Sequence, residues 1–223
     1  MKKLLLYCTI LYVVFIFCFP VFAKQNELTI EQKREINTFG DSIEYYILHK
    51  NNAKACFLAY EMIQRYPQEP DAYFSYAKAS YHAGYPDRAI EYYNKCILLD
   101  KTYYQAYSNI GFIKLNKKKY KEAIKYYTKV INMTSNNKYK KDNAIAYSNR
   151  ALAKYYDNSL KSSLKDYNKS LSIMSDYKGV DHVYFNRGLC RYDLGDKNGA
   201  DEDFNTATKL NPRYKYIYYD KRG

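Results

Sequence analysis

The chain has 223 residues, among them 30 Tyr and 10 Phe but no Trp, and carries a net charge of +13. That length suits one domain with a core of its own. Its 8 Gly and 5 Pro are too few for collagen-like or Pro/Gly-rich disordered classes, and they fit helices joined by short loops.

Residues 1–23 read as a targeting segment. Lys2 and Lys3 give a positive start, Leu4 to Phe19 is uncharged and apolar, and Val21-Phe22-Ala23 offers a cleavage site. The expectation is a cleaved signal and an exported chain beginning at Lys24, in the periplasm, in the cell envelope or secreted. The alternative is an N-terminal membrane anchor, because Leu4 to Phe22 approaches the ~20 residues that span a bilayer. Lipid attachment is disfavoured, since Phe17 precedes Cys18 where a small residue is needed. Loss of Lys2 and Lys3 with the signal lowers the net charge from +13 to +11. Such a charge favours anionic surfaces or acidic partners, or else its lysines merely solvate helix faces. The densest basic runs, Lys117-Lys118-Lys119 with Lys121 and Lys138 with Lys140-Lys141, fall in predicted loops. Beyond the signal stand Cys56, Cys96 and Cys190, an odd count that makes a poor disulfide framework.

After a lead-in over 24–35, two ladders run in step. Aromatic residues stand at Phe39, Tyr73, Tyr107, Tyr147 and Tyr184, and small residues sixteen positions later at Ala55, Ala89, Ala123, Ser163 and Ala200. Both ladders have intervals of 34, 34, 40 and 37. One unit is therefore copied five times, over 36–69, 70–103, 104–137, 144–177 and 181–214. A unit too small to bury its apolar face alone stacks on its neighbours, which predicts an all-α solenoid.

The first unit is degenerate, with Ile43 at a position where later units carry a small residue. In the second, Tyr73, Tyr76, Ala77 and Ser80 share one helical face, Gly84-Tyr85-Pro86-Asp87 breaks the helix, and Ala89, Tyr93 and Cys96 share a face of the next. The third repeats this with Tyr107, Ile110 and Gly111, then Ala123, Tyr127 and Val130. The fourth has Tyr147, Arg150 and Ala151, then Ser163, Tyr167 and Ser170, and its serines predict looser packing. The fifth has Tyr184, Arg187 and Gly188, then Ala200, Phe204 and Ala207, closed by Asn211-Pro212. Residues 138–143 and 178–180 are insertions and should perturb the superhelix locally. Lys215 to Gly223 look like a sixth repeat cut short within its first helix: a partial cap, a truncation, or a surface for self-association.

Residues 73–100 (YFSYAKASYHAGYPDRAIEYYNKCILLD) and 184–212 (YFNRGLCRYDLGDKNGADEDFNTATKLNP) resemble the tetratricopeptide repeat, a 34-residue helix-turn-helix unit. The resemblance covers 36–214, with tyrosine where that family often has Trp, and marks a bacterial exported type. It implies a right-handed α-solenoid whose first helices line an inner, concave face that holds a peptide. On that face it places Lys78 and Tyr81, then Asn109 and Phe112, then Asn149, Leu152 and Tyr155, then Asn186, Leu189 and Tyr192. The three asparagines share one repeat position. Their amides could pair with a bound backbone, or fix the stacking of neighbouring turns. The family's carboxylate clamp is not expected, because Phe74 and Lys78, Asn109, and Ile145 and Asn149 lack the basic residues it needs.

No catalytic constellation appears. His49, His82 and His182 lie in three different units, no metal-ligand spacing occurs, and Asp201, Glu202 and Asp203 splay around a helix as solvated groups do. The sequence therefore predicts a non-enzymatic protein-interaction scaffold or adaptor of the cell envelope, without a cofactor and without a nucleic-acid partner. The alternative is a binder of an anionic envelope polymer or membrane surface.

Overall fold

One left-handed residue sits at the same place in every repeat. Lys50, Gly84, Lys118, Asn158 and Gly195 have φ of 57°, 87°, 58°, 60° and 87°. Each is the middle residue of a three-residue turn, and the amide after it bonds back five residues, as in Asn51 N to Tyr46 O (2.8 Å) and Lys119 N to Lys114 O (2.8 Å). Tyr85, Ser159 and Asp196 do the same at 2.9, 2.8 and 2.9 Å. This closure satisfies the last carbonyls of one helix and reverses the chain into the next. Glycine takes φ > 0 without cost and asparagine tolerates it, but the two lysines do not advertise it.

The computed structural model describes residues 27–174 and 178–215, so the signal segment and nearly all of the C-terminal stub lie outside it. The chain divides into two compact units, residues 1–39 and 40–223. In the first, Thr29 and Gln32 cap a helix reciprocally (Thr29 N to Gln32 Oε1 2.9 Å, Gln32 N to Thr29 Oγ1 3.2 Å). That helix, α1 (Ile30–Leu48), begins inside the expected lead-in. The rest follow in pairs: α2 (Asn52–Arg65), α3 (Pro70–His82), α4 (Pro86–Leu99), α5 (Tyr104–Asn116), α6 (Tyr120–Met133), α7 (Lys140–Tyr156), α8 (Leu160–Met174), α9 (Asp181–Asp193) and α10 (Lys197–Leu210). Among the described residues there is no strand. Pro70 and Pro86 open their helices, and Asn51 and Asp196 cap theirs by accepting from Lys54 N (3.2 Å) and Gly199 N (3.0 Å).

Within each later repeat a buried ring fills the space between the helices: Tyr93, Tyr127, Tyr167 and Phe204. Each contributes roughly 1.5–3 kcal/mol through burial. Small residues opposite let the helices close on it. At Gly188 the approach is tightest, for a Cβ there would lie 2.7 Å from Cε1 of Phe204. Cys96 is fully buried among these groups and behaves as the small hydrophobe expected, and all three described cysteines are free.

Three expectations need correction. Ser163 and Ser170 do not loosen the fourth repeat: both are fully buried and donate to the facing helix, to Ala151 O (2.7 Å) and Ala144 O (2.8 Å). Their protons find carbonyls across the interface, so the hydroxyls act as staples. Lys121 does not lie in a loop but in the first turn of α6, and Lys140 and Lys141 do not lie in one either. After a single 3-10 turn (Asn137–Tyr139), the inserted residues extend α7 by a turn at its start. Asp203 is not solvated. It is 2% exposed and held by arginines, as set out below.

Candidate functional site

The first helices of successive repeats lie side by side, and α3, α5 and α7 border a groove of about 260 Å³. Phe74 and Lys78 contribute from α3, Tyr104, Ser108 and Asn109 from α5, and Asp142 and Ile145 from α7. Its one cation among the described residues is already matched. Lys78 pairs with Glu44, and burial followed by the Asp142 carboxylate pushes the Tyr104 hydroxyl up to about 12. The groove is thus mixed in polarity, with Phe74 and Ile145 as its apolar walls.

The structure spreads the ten sequence-expected residues over several contacts. Lys78 and Asn109 share this groove. Tyr81 meets the ring of Phe112 edge-on (centroids 5.9 Å) and its hydroxyl accepts from Asn116 Nδ2 (3.2 Å). Tyr155 makes the equivalent contact two junctions later, donating to Asp193 Oδ2 (2.6 Å). Burial and that carboxylate raise the Tyr155 hydroxyl pKa well above its ordinary value. These bonds tie neighbouring first helices together. Leu152 and Leu189 pack half-buried against the clusters around Tyr127 and Phe204. Phe112 and Tyr192 remain exposed, at 44% and 43%.

The asparagines part company. Asn109 Nδ2 donates to the hydroxyl of Tyr93 (3.0 Å), which is otherwise buried. At the same repeat positions Asn149 and Asn186 make no side-chain hydrogen bond among the described residues, and the hydroxyls of Tyr127 and Tyr167 have no partner there. The bond forms where no residues separate the repeats and is missing at the two junctions lengthened by 138–143 and 178–180. Asn109 is therefore a stacking residue, while Asn149 and Asn186 keep their amides unused.

Sequence reasoning missed the strongest polar feature. Arg150 Nε and Nη2 grip Asp166 at 2.7 and 2.8 Å, while Nη1 reaches Thr128 Oγ1 of the preceding repeat (3.1 Å). Arg187 does the same to Asp203 (2.8 and 2.6 Å) and to Asn168 Oδ1 (2.9 Å). Lys154 and Arg191 add second contacts to the two carboxylates at 2.7 and 3.2 Å. Each arginine thus joins three helices across two repeats. The signal was present: Arg and Asp sit sixteen residues apart in both repeats.

His49, His82 and His182 are exposed and far apart in the chain, and among the described residues no cluster of metal-ligating side chains forms. No described helix is long and apolar enough to cross a membrane.

Residues 70–103, 104–137 and 182–214 each match a family model described as a tetratricopeptide repeat. No match is found among curated proteins. The fold is similar to that of solved structures: BtubC from P. vanneervenii (17% identity, TM-score 0.70, 83% of this chain and 82% of that one), pilF of Pseudomonas aeruginosa (16%, 0.69, 85% and 87%) and MamA of Desulfovibrio magneticus RS-1 (17%, 0.66, 80% and 96%). At these identities the likeness is one of fold. Proteins built from this repeat are generally non-catalytic scaffolds for other proteins. With five turns of one geometry, ten paired helices among the described residues and three repeats matched in sequence, the chain carries tetratricopeptide repeats stacked in an all-α solenoid.

Proposed function

We propose that this scaffold works at the cell envelope and holds a polypeptide segment along the face of its first helices, without chemistry of its own. The observation that carries the reading is the groove between α3, α5 and α7. Its apolar walls and mixed polar lining, with Lys78 already paired to Glu44, suit a peptide, whose backbone needs donors and acceptors together. A uniformly anionic polymer would find few free cations there. Exposed Phe112 and Tyr192 extend the same face, and aromatic side chains are common anchors at protein interfaces. Asn149 and Asn186 offer unused amides for main-chain pairing. The envelope location rests on the signal pattern of residues 1–23.

The charge also argues against whole-surface binding to polyanions. In the first basic run Lys117 pairs with Asp87 and Lys119 with Glu122 (3.7 Å), and nearby Lys114 also pairs with Glu122 (2.6 Å). A pull-down from envelope extract at low and high salt tests the reading. Capture should resist salt and be lost when Ser108→Arg fills the groove. Capture that collapses with salt and ignores Ser108→Arg would overturn it in favour of a polyanion partner.

A further inference from the structure

The other face of α7 borders a second cavity, of about 370 Å³, closed by the end of α6 and by α8. It lies within the roughly 300–1,000 Å³ range of small-molecule pockets. Lys140 and Lys169 supply its charge, and no described carboxylate lines it. Neither lysine makes an ion pair among the described residues. At the same repeat position Lys95 lies over the Tyr92 ring (4.0 Å) and Lys129 over the Tyr107 ring (4.3 Å), whereas Lys169 meets no ring among the described residues.

Apart from the Asn136 amide and the Tyr147 hydroxyl, which can also donate, the remaining polar side chains of the lining offer acceptors. Asn143 is 8% exposed and spends both Nδ2 protons, on Ile131 O (3.0 Å) and Thr134 Oγ1 (3.1 Å). Those bonds fix the amide's orientation and leave Oδ1 without a donor among the described residues. Ser135 and Ser172 spend their protons on Asn132 O (3.1 Å) and Lys169 O (2.8 Å). Their oxygens also have lone pairs to offer. A ligand that satisfies the cavity must therefore bring an anion for two ammonium groups and several donors for these oxygens.

We infer that this cavity binds the phosphate ester of a small polyol. Ammonium groups are compact point charges that suit a tetrahedral phosphate, whereas a planar carboxylate is better matched by an arginine fork. The polyol hydroxyls donate to Asn143, Ser135 and Ser172, and the Tyr147 ring supplies an apolar wall. Lys140 and Asn143 both come from the inserted residues 138–143, so no other junction between repeats builds this site.

Calorimetric titration of the purified protein tests the inference. The probes are glycerol 3-phosphate, glycerophosphoglycerol, inorganic phosphate and glucose. At least one ester should bind one per chain, and the monoester and diester arms distinguish a free metabolite from a unit of a polymer. The double variant Lys140→Gln/Lys169→Gln should weaken that binding at least tenfold. Lys118→Gln/Lys197→Gln, with the same loss of charge, should leave it unchanged. All four lysines are exposed, and a thermal melt of each variant checks the fold. Equal weakening in both double variants, or no ester bound at millimolar concentration, overturns the site. Glucose or inorganic phosphate binding as tightly as the esters overturns the ligand class.

Discussion

Arg187 and Asp203 join the two helices of the last full repeat through parallel hydrogen bonds of 2.8 and 2.6 Å, with the Asp203 side chain only 3% exposed. In the second repeat the same two positions hold Tyr76 and Tyr92, whose rings meet at 4.4 Å. Two chemistries thus close the same gap. The ion pair leaves a charge stranded if one member is lost, whereas the ring pair has none to strand. Asp203→Leu should destabilise the protein by about 3–5 kcal/mol, because Arg187 and Arg191 lose their counter-charge. Arg187→Tyr with Asp203→Tyr should restore most of that stability. Urea denaturation of the three proteins decides it: a single variant that costs less than about 1 kcal/mol would mean the pair is solvated.

The asparagines allow a sharper division. Asn109→Ala strips the buried Tyr93 hydroxyl of its only partner among the described residues and should cost about 1–3 kcal/mol. Asn149→Ala and Asn186→Ala remove no side-chain hydrogen bond among the described residues and should leave the melting temperature nearly unchanged. Under the peptide-groove proposal they weaken partner binding instead, by about 0.5–1.5 kcal/mol for each lost bond. A melting-temperature loss in Asn149→Ala as large as that in Asn109→Ala would show that the inserted residues do not uncouple this junction.

Burial raises the hydroxyl pKa of Tyr93, Tyr127 and Tyr167 above their ordinary value of about 10, and that of the Cys96 thiol to about 12. The folded state holds these protons more tightly than the unfolded chain does. Their contribution is therefore complete below the unfolded values and is lost as pH rises toward the folded ones. The melting temperature should be flat from neutral pH to about 9 and fall beyond it. Tyr127→Phe and Tyr167→Phe remove hydroxyls that have no partner among the described residues, and Phe204 already occupies the equivalent place. Each should stabilise the protein by about 1 kcal/mol at neutral pH and soften the alkaline decline. A loss of stability at neutral pH would reveal a hidden partner for the hydroxyl.

The repeat was legible because its markers are bulky rings and small residues on fixed helical faces, and both patterns survive substitution of everything between them. What stayed hidden depends on pairing across helices. Arg150 with Asp166 and Ser163 with Ala151 read as polar intrusions when each helix is taken alone. They become structural once the two helices face each other. Asn109, Asn149 and Asn186 look identical in sequence. Their difference comes from the insertions, which change how one repeat meets the next rather than any residue within it. The cavity beside Tyr147 was invisible for the same reason, since a basic run in sequence does not reveal that Lys140 of α7 and Lys169 of α8 line one cavity.

The turn between paired helices was also only half visible, because Gly84 and Gly195 announce a left-handed residue and Lys50 and Lys118 do not. For an L-residue that conformation costs roughly 1–2 kcal/mol relative to glycine's freedom. Glycine in turn loses about 0.4–1 kcal/mol through the greater entropy of the unfolded chain. Lys118→Gly should therefore leave stability unchanged or raise it by up to about 1 kcal/mol. Lys118 is exposed and makes no ion pair among the described residues, so no other interaction is lost. Gly84→Ala, the reverse change in an open turn, should cost about 1 kcal/mol through backbone strain alone. Lys119→Gly serves as the control, with φ of −87° and an ion pair to Glu122, and it should destabilise. If Lys118→Gly proves as damaging as Lys119→Gly, the five turns do not share one backbone geometry.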